Sequence, residues 1–392
     1  MITRPGGKGL ALEETLKAYF WHAGYFVARG IPFRIDGEDV TDIDLWLYER
    51  PAALTRRRLI VDVKNRRSPK VSERLIWIKG LQAALGVDGA IVATTDTRQS
   101  ARKLARSLNV ILLDGDAVSK LSNSEQLKST DQLSSEEFDE IVRKVDKGRH
   151  SDEWRHNFHD ARASLVFGMG AQSTNRNLAA SAFFGEQTLL AQPNSEQAKT
   201  GVRLLYFTTA LAAISLDYVL ADQAFQSQDN RRKSIIGSIR FGDPEGVPGL
   251  QTIRAAIGLA RKYIENGNAA AKQIEHGFYG EAEHIPAEII AEYVARISTS
   301  DALFNTAREI AWASTSRVLP SFDRLSTEAK SLLGVVLDFN GISREKIALA
   351  WTDAGKPKNT QASASQAGKD AGPLFADSTD LPARIVKARD ER

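Results

Sequence analysis

The stretch Val40–Lys64, VTDIDLWLYERPAALTRRRLIVDVK, reads as two β-strands joined by an arginine-bearing loop. Side chains alternate along a strand, so Ile43, Leu45 and Leu47 share one face while Asp42 and Asp44 share the other. In the second strand Leu59, Val61 and Val63 form one face, and Ile60, Asp62 and Lys64 form the opposite one. Antiparallel pairing about Ala53 sets Asp44 across from Asp62. Two carboxylates on neighbouring strands repel unless positive charge lies between them. A divalent metal resolves that conflict, and Lys64 stands two residues farther along the same face.

Upstream of the hairpin, Leu12, Leu16, Tyr19, Phe20 and Ala23 recur at helical spacing and stop at Gly24, with Glu13 and Glu14 beside the apolar stripe. Tyr25–Ala28 reads as a strand, followed by the turn-prone IPFRIDGED. Downstream come the basic loop NRRSPK, a helix over 72–85, a buried strand at 89–94, a helix over 97–108 and a short strand at 110–113. The order α-β-β-β-α-β-α-β predicts an α/β domain with a mixed sheet over residues 1–118. Residues 119–136 are rich in Ser, Gln and Glu, so 119–150 is expected to be a linker and connecting helix. Ser134 with Glu137 three residues on predicts a capping box at that helix's start. Residues 151–353 read as an all-α domain, and 354–392 as a disordered tail, Ala/Ser/Gln/Gly/Lys-rich at first and without apolar periodicity. The most apolar run, Leu204–Leu216, contains two threonines and is too short to span a bilayer, so a buried helix is expected.

With 42% hydrophobic and 26% charged residues, the composition is that of an ordinary globular protein. The absence of cysteine excludes disulfides, thiolate zinc sites and cysteine nucleophiles. The opening MITRPGGKGL lacks the apolar core of a secretory signal, and no membrane association is expected; a cytoplasmic location is the default. Net charge is only +3, but residues 1–120 hold 20 Lys/Arg against 14 Asp/Glu, so positive potential gathers on the part that carries the hairpin.

Phosphodiester hydrolysis by a metal-dependent nuclease needs acidic ligands, an activated water and charge stabilisation at the phosphate. Asp44 and Asp62 would hold Mg²⁺ or Mn²⁺, the Val63 carbonyl would add a ligand, and Glu13 would supply an outer one from the helix. Lys64 would orient or deprotonate the attacking water, or neutralise the phosphate. Arg56, Arg57, Arg58, Arg66, Arg67, Lys70, Arg98 and Arg102 suit a rim contacting nucleic-acid phosphates. Trp21, Trp46 and Trp77 are aromatic enough to stack on bases, with packing the expected role of each.

The segments LEETLKAYFWHAGYFV, DIDLW, VDVKN and GAIVATTDTRQSARKLARSLNVILLDG carry a resemblance. Residues 9–118 look like the PD-(D/E)XK nuclease superfamily, in its restriction-endonuclease-like branch around Mrr-type enzymes and archaeal Holliday-junction resolvases. The resemblance implies an α/β core with the active site at one sheet edge. It sets the helix glutamate on Glu13, the strand aspartate on Asp44 and the acid-x-lysine pair on Asp62 and Lys64. It departs in lacking a proline before the first aspartate, and in having Asp62 where many relatives carry the longer Glu or Gln. Gln82 lies on the helix after the motif, where some relatives place a glutamine.

The expectation is therefore a metal-dependent DNA endonuclease, with restriction-type defence implied by the resemblance alone. A junction- or flap-specific repair nuclease is one alternative; a nucleic-acid-binding protein without catalysis is another. Cutting both strands predicts a homodimer, while the helical part would recognise substrate, oligomerise or dock a partner protein. A second acid-x-lysine, Glu328-Ala-Lys330, lies in helix without an acidic strand before it. His156, His159 and Asp160, near His150, lack the third ligand of a metal site.

Overall fold

The computed structural model describes residues 8–35, 38–64, 70–124, 127, 131–146, 152–242, 248–297 and 300–352. The expected tail, 354–392, lies outside them, as do Arg66, Arg67 and His150.

Helix α1 (Lys8–His22) precedes β1 (Phe26–Ile35), β2 (Glu38–Glu49) and β3 (Arg57–Lys64). Then come α2 (Val71–Leu85), β4 (Gly89–Thr94), α3 (Gln99–Ser107), β5 (Ile111–Leu113) and α4 (Gly115–Ser122). The five strands form one mixed sheet in the order β1-β2-β3-β4-β5. The first three are antiparallel, and β4 and β5 continue parallel to β3. Parallel strands need crossover connections, which α2 and α3 supply.

The alternation legible in the sequence sorts the sheet's two faces except at Ile43, expected beside Leu45 and Leu47 but packed in the cluster of Ile31, Phe33, Trp46 and Tyr48. Leu45, Leu47, Leu59, Val61 and Val63 pack with Leu12, Leu16 and Phe20 of α1 and Val118 and Leu121 of α4. Trp46, Tyr48, Ile60, Ala90 and Val92 face the other way, in a cluster that includes Leu75 and Ile78 of α2 and Ala101 and Ala105 of α3.

Two expectations need correction. IPFRIDGED is not a turn up to Ile35: β1 runs through it, pairing Ile31 with Ile43 and Phe33 with Thr41. Gly30, at φ 62°, takes a conformation that side-chain-bearing residues rarely adopt. Pro32 is tolerated because β1 is an edge strand, where a missing N–H costs no ladder bond. Nor does secondary structure lapse at Ser119, since α4 continues to Ser122, started by Asp114 accepting from the backbone N–H groups of Asp116 and Ala117.

The capping box forms as the spacing predicts. Ser134 Oγ accepts from Glu137 N and Glu137 Oε2 accepts from Ser134 N, opening α5 (Ser135–Val145). Beyond it the chain is helical: α6 (Glu153–Ala163), α7 (Ala171–Leu190), α8 (Glu196–Val219), α9 (Gln228–Phe241), α10 (Pro248–Tyr263), α11 (Gly267–Glu283), α12 (Ala287–Ile297), α13 (Ala302–Thr315), α14 (Thr327–Phe339) and α15 (Arg344–Ala350). Helix α8 contains the apolar run and is buried on every side, as a helix without a polar face must be. With the turn that follows, Glu196–Gln223 is long and apolar enough to cross a membrane, yet 83% of its most apolar window is buried inside the fold, as in the core helix of a soluble protein. Gly201 lets α7 approach, because a Cβ there would collide with Thr188 Oγ1.

The helical region is not a separate bead on a linker. One buried cluster runs from Trp46, Tyr48 and Ile60 of the sheet into Phe158, Leu165, Phe184 and the core of α8. Phe33 of β1 stacks on Phe167 at 4.9 Å, and Trp21 of α1 stacks on Trp312 of α13 at 5.5 Å.

Candidate active site

The β2–β3 ladder has the register expected from pairing about Ala53: Glu49 opposes Arg57, Leu47 opposes Leu59 and Leu45 opposes Val61. One step farther, Asp44 and Asp62 reach the end of the ladder. There Asp44 Oδ2 accepts a 2.6 Å hydrogen bond from Val63 N, a carboxylate standing in for a backbone acceptor. This is how the site forms: the strands stop pairing where the acids begin, so the polar face opens instead of being sealed.

Asp62 is 4% exposed, Asp44 19% and Lys64 29%. Lys64 Nζ lies 3.8 Å from Asp44 Oδ2 and 3.4 Å from Asp62 Oδ1, so one ammonium already serves both carboxylates. The Asp44 carboxyl is pushed up to about 6, chiefly by burial. The Val63 N–H and Lys64 oppose that rise; the neighbouring charges of Asp62 and Glu13 add to it. Burial rather than a lack of cations therefore dominates at Asp44.

The remaining expected residues divide. Glu13, on α1, acts electrostatically on Asp44 but is held by Arg29, with Arg29 Nη2 2.7 Å from Glu13 Oε2. Arg29 also binds Glu14 and Glu136, so Glu13 belongs to a charge network joining α1, β1 and α5. Val63 is in register with Ala93, its side chain in the α1-side core and its N–H committed to Asp44. Gln82 donates to Val87 O at the far end of α2, roughly 12 Å along the helix from Arg74.

The expected basic rim separates into two ends of the sheet. Lys64 is in register with Thr94, so the segment after β4 that bears Arg98 and Arg102 emerges at the same end as the acids. Both arginines are partly exposed and both have acidic partners: Arg98 binds Asp96, and Arg102 binds Asp114 and Asp116. Lys70 is exposed beside Glu73. Arg56, Arg57 and Arg58 occupy the opposite end of β3, about 20 Å away for a strand of this length. Arg56 is buried and fastened to Asp217 of α8, with Nε 2.6 Å from Oδ2. Arg58 donates to Gly86 O and lies over the Tyr218 ring, and Arg57 pairs with Glu49. The 56–58 loop is therefore a clamp between hairpin and helices, not part of a rim around the acids.

One site residue escaped the sequence reading. Arg74, in the first turn of α2, engages both oxygens of Asp62, with Nε donating to Oδ2 at 2.9 Å and Nη2 to Oδ1. Its guanidinium lies 4.0 Å over the Trp77 ring. The only signal was its i,i+3 spacing from Trp77 after a basic loop. Trp77 thus supports a site arginine, whereas Trp46 is fully buried and Trp21 packs against Trp312. On α6, His156 meets Asp160 at 3.2 Å, while His159 faces Arg162; burial, helped by Arg162, holds the His159 imidazole down at about 4.

Among the described residues no group of three or more His, Asp or Glu is disposed to hold a metal. The fit for a hard divalent ion rests on two carboxylates. Mg²⁺ commonly binds protein through one or two carboxylates and fills its shell with water and substrate phosphate, and oxygen donors suit Mg²⁺ and Mn²⁺. Asp44 and Asp62 meet that requirement by donor type, two carboxylates at the open end of the hairpin. In comparisons with known proteins, no family model, no curated protein and no solved structure matches this chain.

Proposed function

We propose that this chain is a metal-dependent DNA endonuclease whose α/β part has a restriction-endonuclease-like, PD-(D/E)XK-type fold. The observation that carries the reading is the meeting of Asp44, Asp62 and Lys64 where the β2–β3 ladder ends. Oxygen ligands, a lysine within 4 Å of both and an opening to solvent are the parts that phosphodiester hydrolysis requires.

Asp44 and Asp62 would hold Mg²⁺ or Mn²⁺, which when bound supplies Lewis acidity toward the phosphate and lowers the pKa of a coordinated water. Lys64 keeps its ammonium between the two acids, where it would orient the attacking water and offset charge gathering on the phosphate. Val63 N fixes Asp44 in place. Glu13 acts at a distance, its negative charge disfavouring ionised Asp44 and so favouring a cation there. Lys70, Arg98 and Arg102 lie toward the same end and suit contacts to the DNA backbone. Restriction-type defence in the cytoplasm, and a homodimer for double-strand cutting, complete the reading.

The test is cleavage of supercoiled plasmid by purified protein in Mg²⁺ or Mn²⁺, beside Asp62→Ala and Lys64→Ala. Wild type is expected to nick or linearise the plasmid, and both variants to leave it intact while unfolding near the wild-type temperature. Variants that cut as fast as wild type would remove these residues from the active site. Methylated plasmid, unmodified plasmid and a four-way junction separate restriction from a structure-specific repair nuclease. Light scattering gives the oligomeric state, and a monomer making double-strand breaks would overturn the dimer. A second reading, a non-catalytic nucleic-acid-binding protein, is favoured by Arg74 engaging both oxygens of Asp62. It predicts DNA binding without cleavage in either metal.

A further inference from the structure

Without metal, the open end of the hairpin balances its own charge. Asp44 and Asp62 when ionised contribute two negative charges, and Lys64 and Arg74 two positive ones. Asp62 is almost wholly buried and both its oxygens engage Arg74, so a cation reaching Asp62 competes with that guanidinium. Arg74 itself is 27% exposed, on the first turn of α2, with the Trp77 ring beneath it. A planar cation on an aromatic face keeps favourable contact after losing its carboxylate partner.

We propose that Arg74 is an exchangeable counter-ion and phosphate ligand: it neutralises Asp62 in the metal-free protein, yields Asp62 to a divalent cation, and then binds the phosphate of the nucleic acid that follows. The inference rests on the nuclease reading and deepens it. Charge balance is its physical basis. A divalent cation among two carboxylates, Lys64 and Arg74 leaves the site at +2. A phosphodiester brings −1, and the attacking hydroxide another −1, so the five-coordinate phosphorus species carries −2 and the sum is zero. If Arg74 were absent the sum would be −1 in a partly buried site, where uncompensated charge is costly. An arginine suits the exchange because its planar fork binds carboxylate and phosphate oxygens in the same bidentate manner.

The experiment compares wild type, Arg74→Ala and Arg74→Lys in three measurements. Mn²⁺ affinity is read by calorimetry without DNA. Binding of a fluorescent DNA duplex is read in Ca²⁺, and cleavage in Mg²⁺. For Arg74→Ala, Mn²⁺ should bind about tenfold tighter, since its competitor is gone, while DNA binding weakens about tenfold and cleavage falls on the order of a hundredfold. Arg74→Lys should return Mn²⁺ affinity toward wild type but recover cleavage only in part, because an ammonium has the charge without the fork. Thermal unfolding checks that each variant is folded.

If wild type and Arg74→Ala bind Mn²⁺ equally tightly, the exchange is overturned while the nuclease reading stands. Weaker Mn²⁺ binding in folded Arg74→Ala would make Arg74 a structural support of Asp62 and also overturn it. If no variant binds Mn²⁺ or cuts DNA, the nuclease reading itself fails.

Discussion

The two ends of the β2–β3 hairpin both set guanidinium against carboxylate, and they work in opposite ways. At the loop end Asp217 receives Tyr48 Oη at 2.6 Å, Arg50 Nη1 at 2.8 Å and Arg56 Nε at 2.6 Å. Side chains there are 1–2% exposed, and the partners come from α8, about 160 residues away. Arg56 also donates to the carbonyls of Ala52, Ala53 and Thr55, so the turn is wound around it. At the open end the acids outreach the ladder, Lys64 and Arg74 are partly exposed, and Asp44 is held above its ordinary range. Buried and fully paired charge fixes a shape. Charge left partly open to water, on partners that can leave, can still exchange what it binds.

The comparison breaks most sharply through Asp62. Asp62→Ala is expected to lower cleavage on the order of 10⁴-fold, about 5 kcal/mol of transition-state stabilisation. The unfolding temperature should shift by no more than a few degrees. A variant that unfolds at room temperature would show that the open end is structural after all.

At the loop end the signs reverse. Asp217→Ala removes the buried carboxylate shared by Tyr48, Arg50 and Arg56 and should cost about 3–5 kcal/mol of stability, measured by denaturant unfolding. If stability is unchanged, the clamp contributes nothing and the contrast between the ends collapses.

Asp44 gives a pH-dependent test. A carboxyl whose folded pKa is raised, here to about 6, destabilises the fold when ionised. That cost is fully present above pH 6 and fades as pH falls toward the ordinary carboxylate range. Asp44→Asn should therefore be more stable than wild type by about 2–3 kcal/mol at pH 8, with the gap closing toward pH 4. Added Mg²⁺ should narrow the gap at pH 8 by stabilising only wild type; no narrowing would speak against a metal on Asp44.

The smallest effect is expected at the exposed arginines. Arg102 is shared by Asp114 and Asp116, so Arg102→Ala should weaken DNA binding less than about threefold and reduce the salt slope by no more than about one. A tenfold loss in anisotropy titrations would make Arg102 a primary phosphate contact.

Much of this hairpin was legible because its information is local. The period-two alternation of DIDLWLYE and RRLIVDVK assigned Leu45, Leu47, Leu59, Val61 and Val63 to one face, missing only that Ile43 joins the other cluster, and the register about Ala53 followed from matching those faces. Ser134 and Glu137 announced α5 by the same local logic, and the apolar run announced α8. Glu13, expected as an outer ligand from the helix, acts on Asp44 by its charge, while its tie to Arg29 is not visible in the sequence. The extent of β1 was misread because Gly30 and Pro32 favour turns unless a partner strand holds them extended.

Arg56, Arg57 and Arg58 mark the limit. As letters they are identical, yet one is buried on Asp217, one pairs with Glu49 across the ladder and one lies over Tyr218. Arg74 and Lys70 likewise share a basic segment, but only Arg74 reaches Asp62. The sequence by itself determined the β2–β3 pairing, its register and most of its faces, since alternation and ladder register act over a few residues. Tertiary structure alone decided which cation each acid meets, which charges are dry and where Asp44 titrates. Those depend on partners brought together across tens to hundreds of residues, and on how much water the surrounding elements exclude.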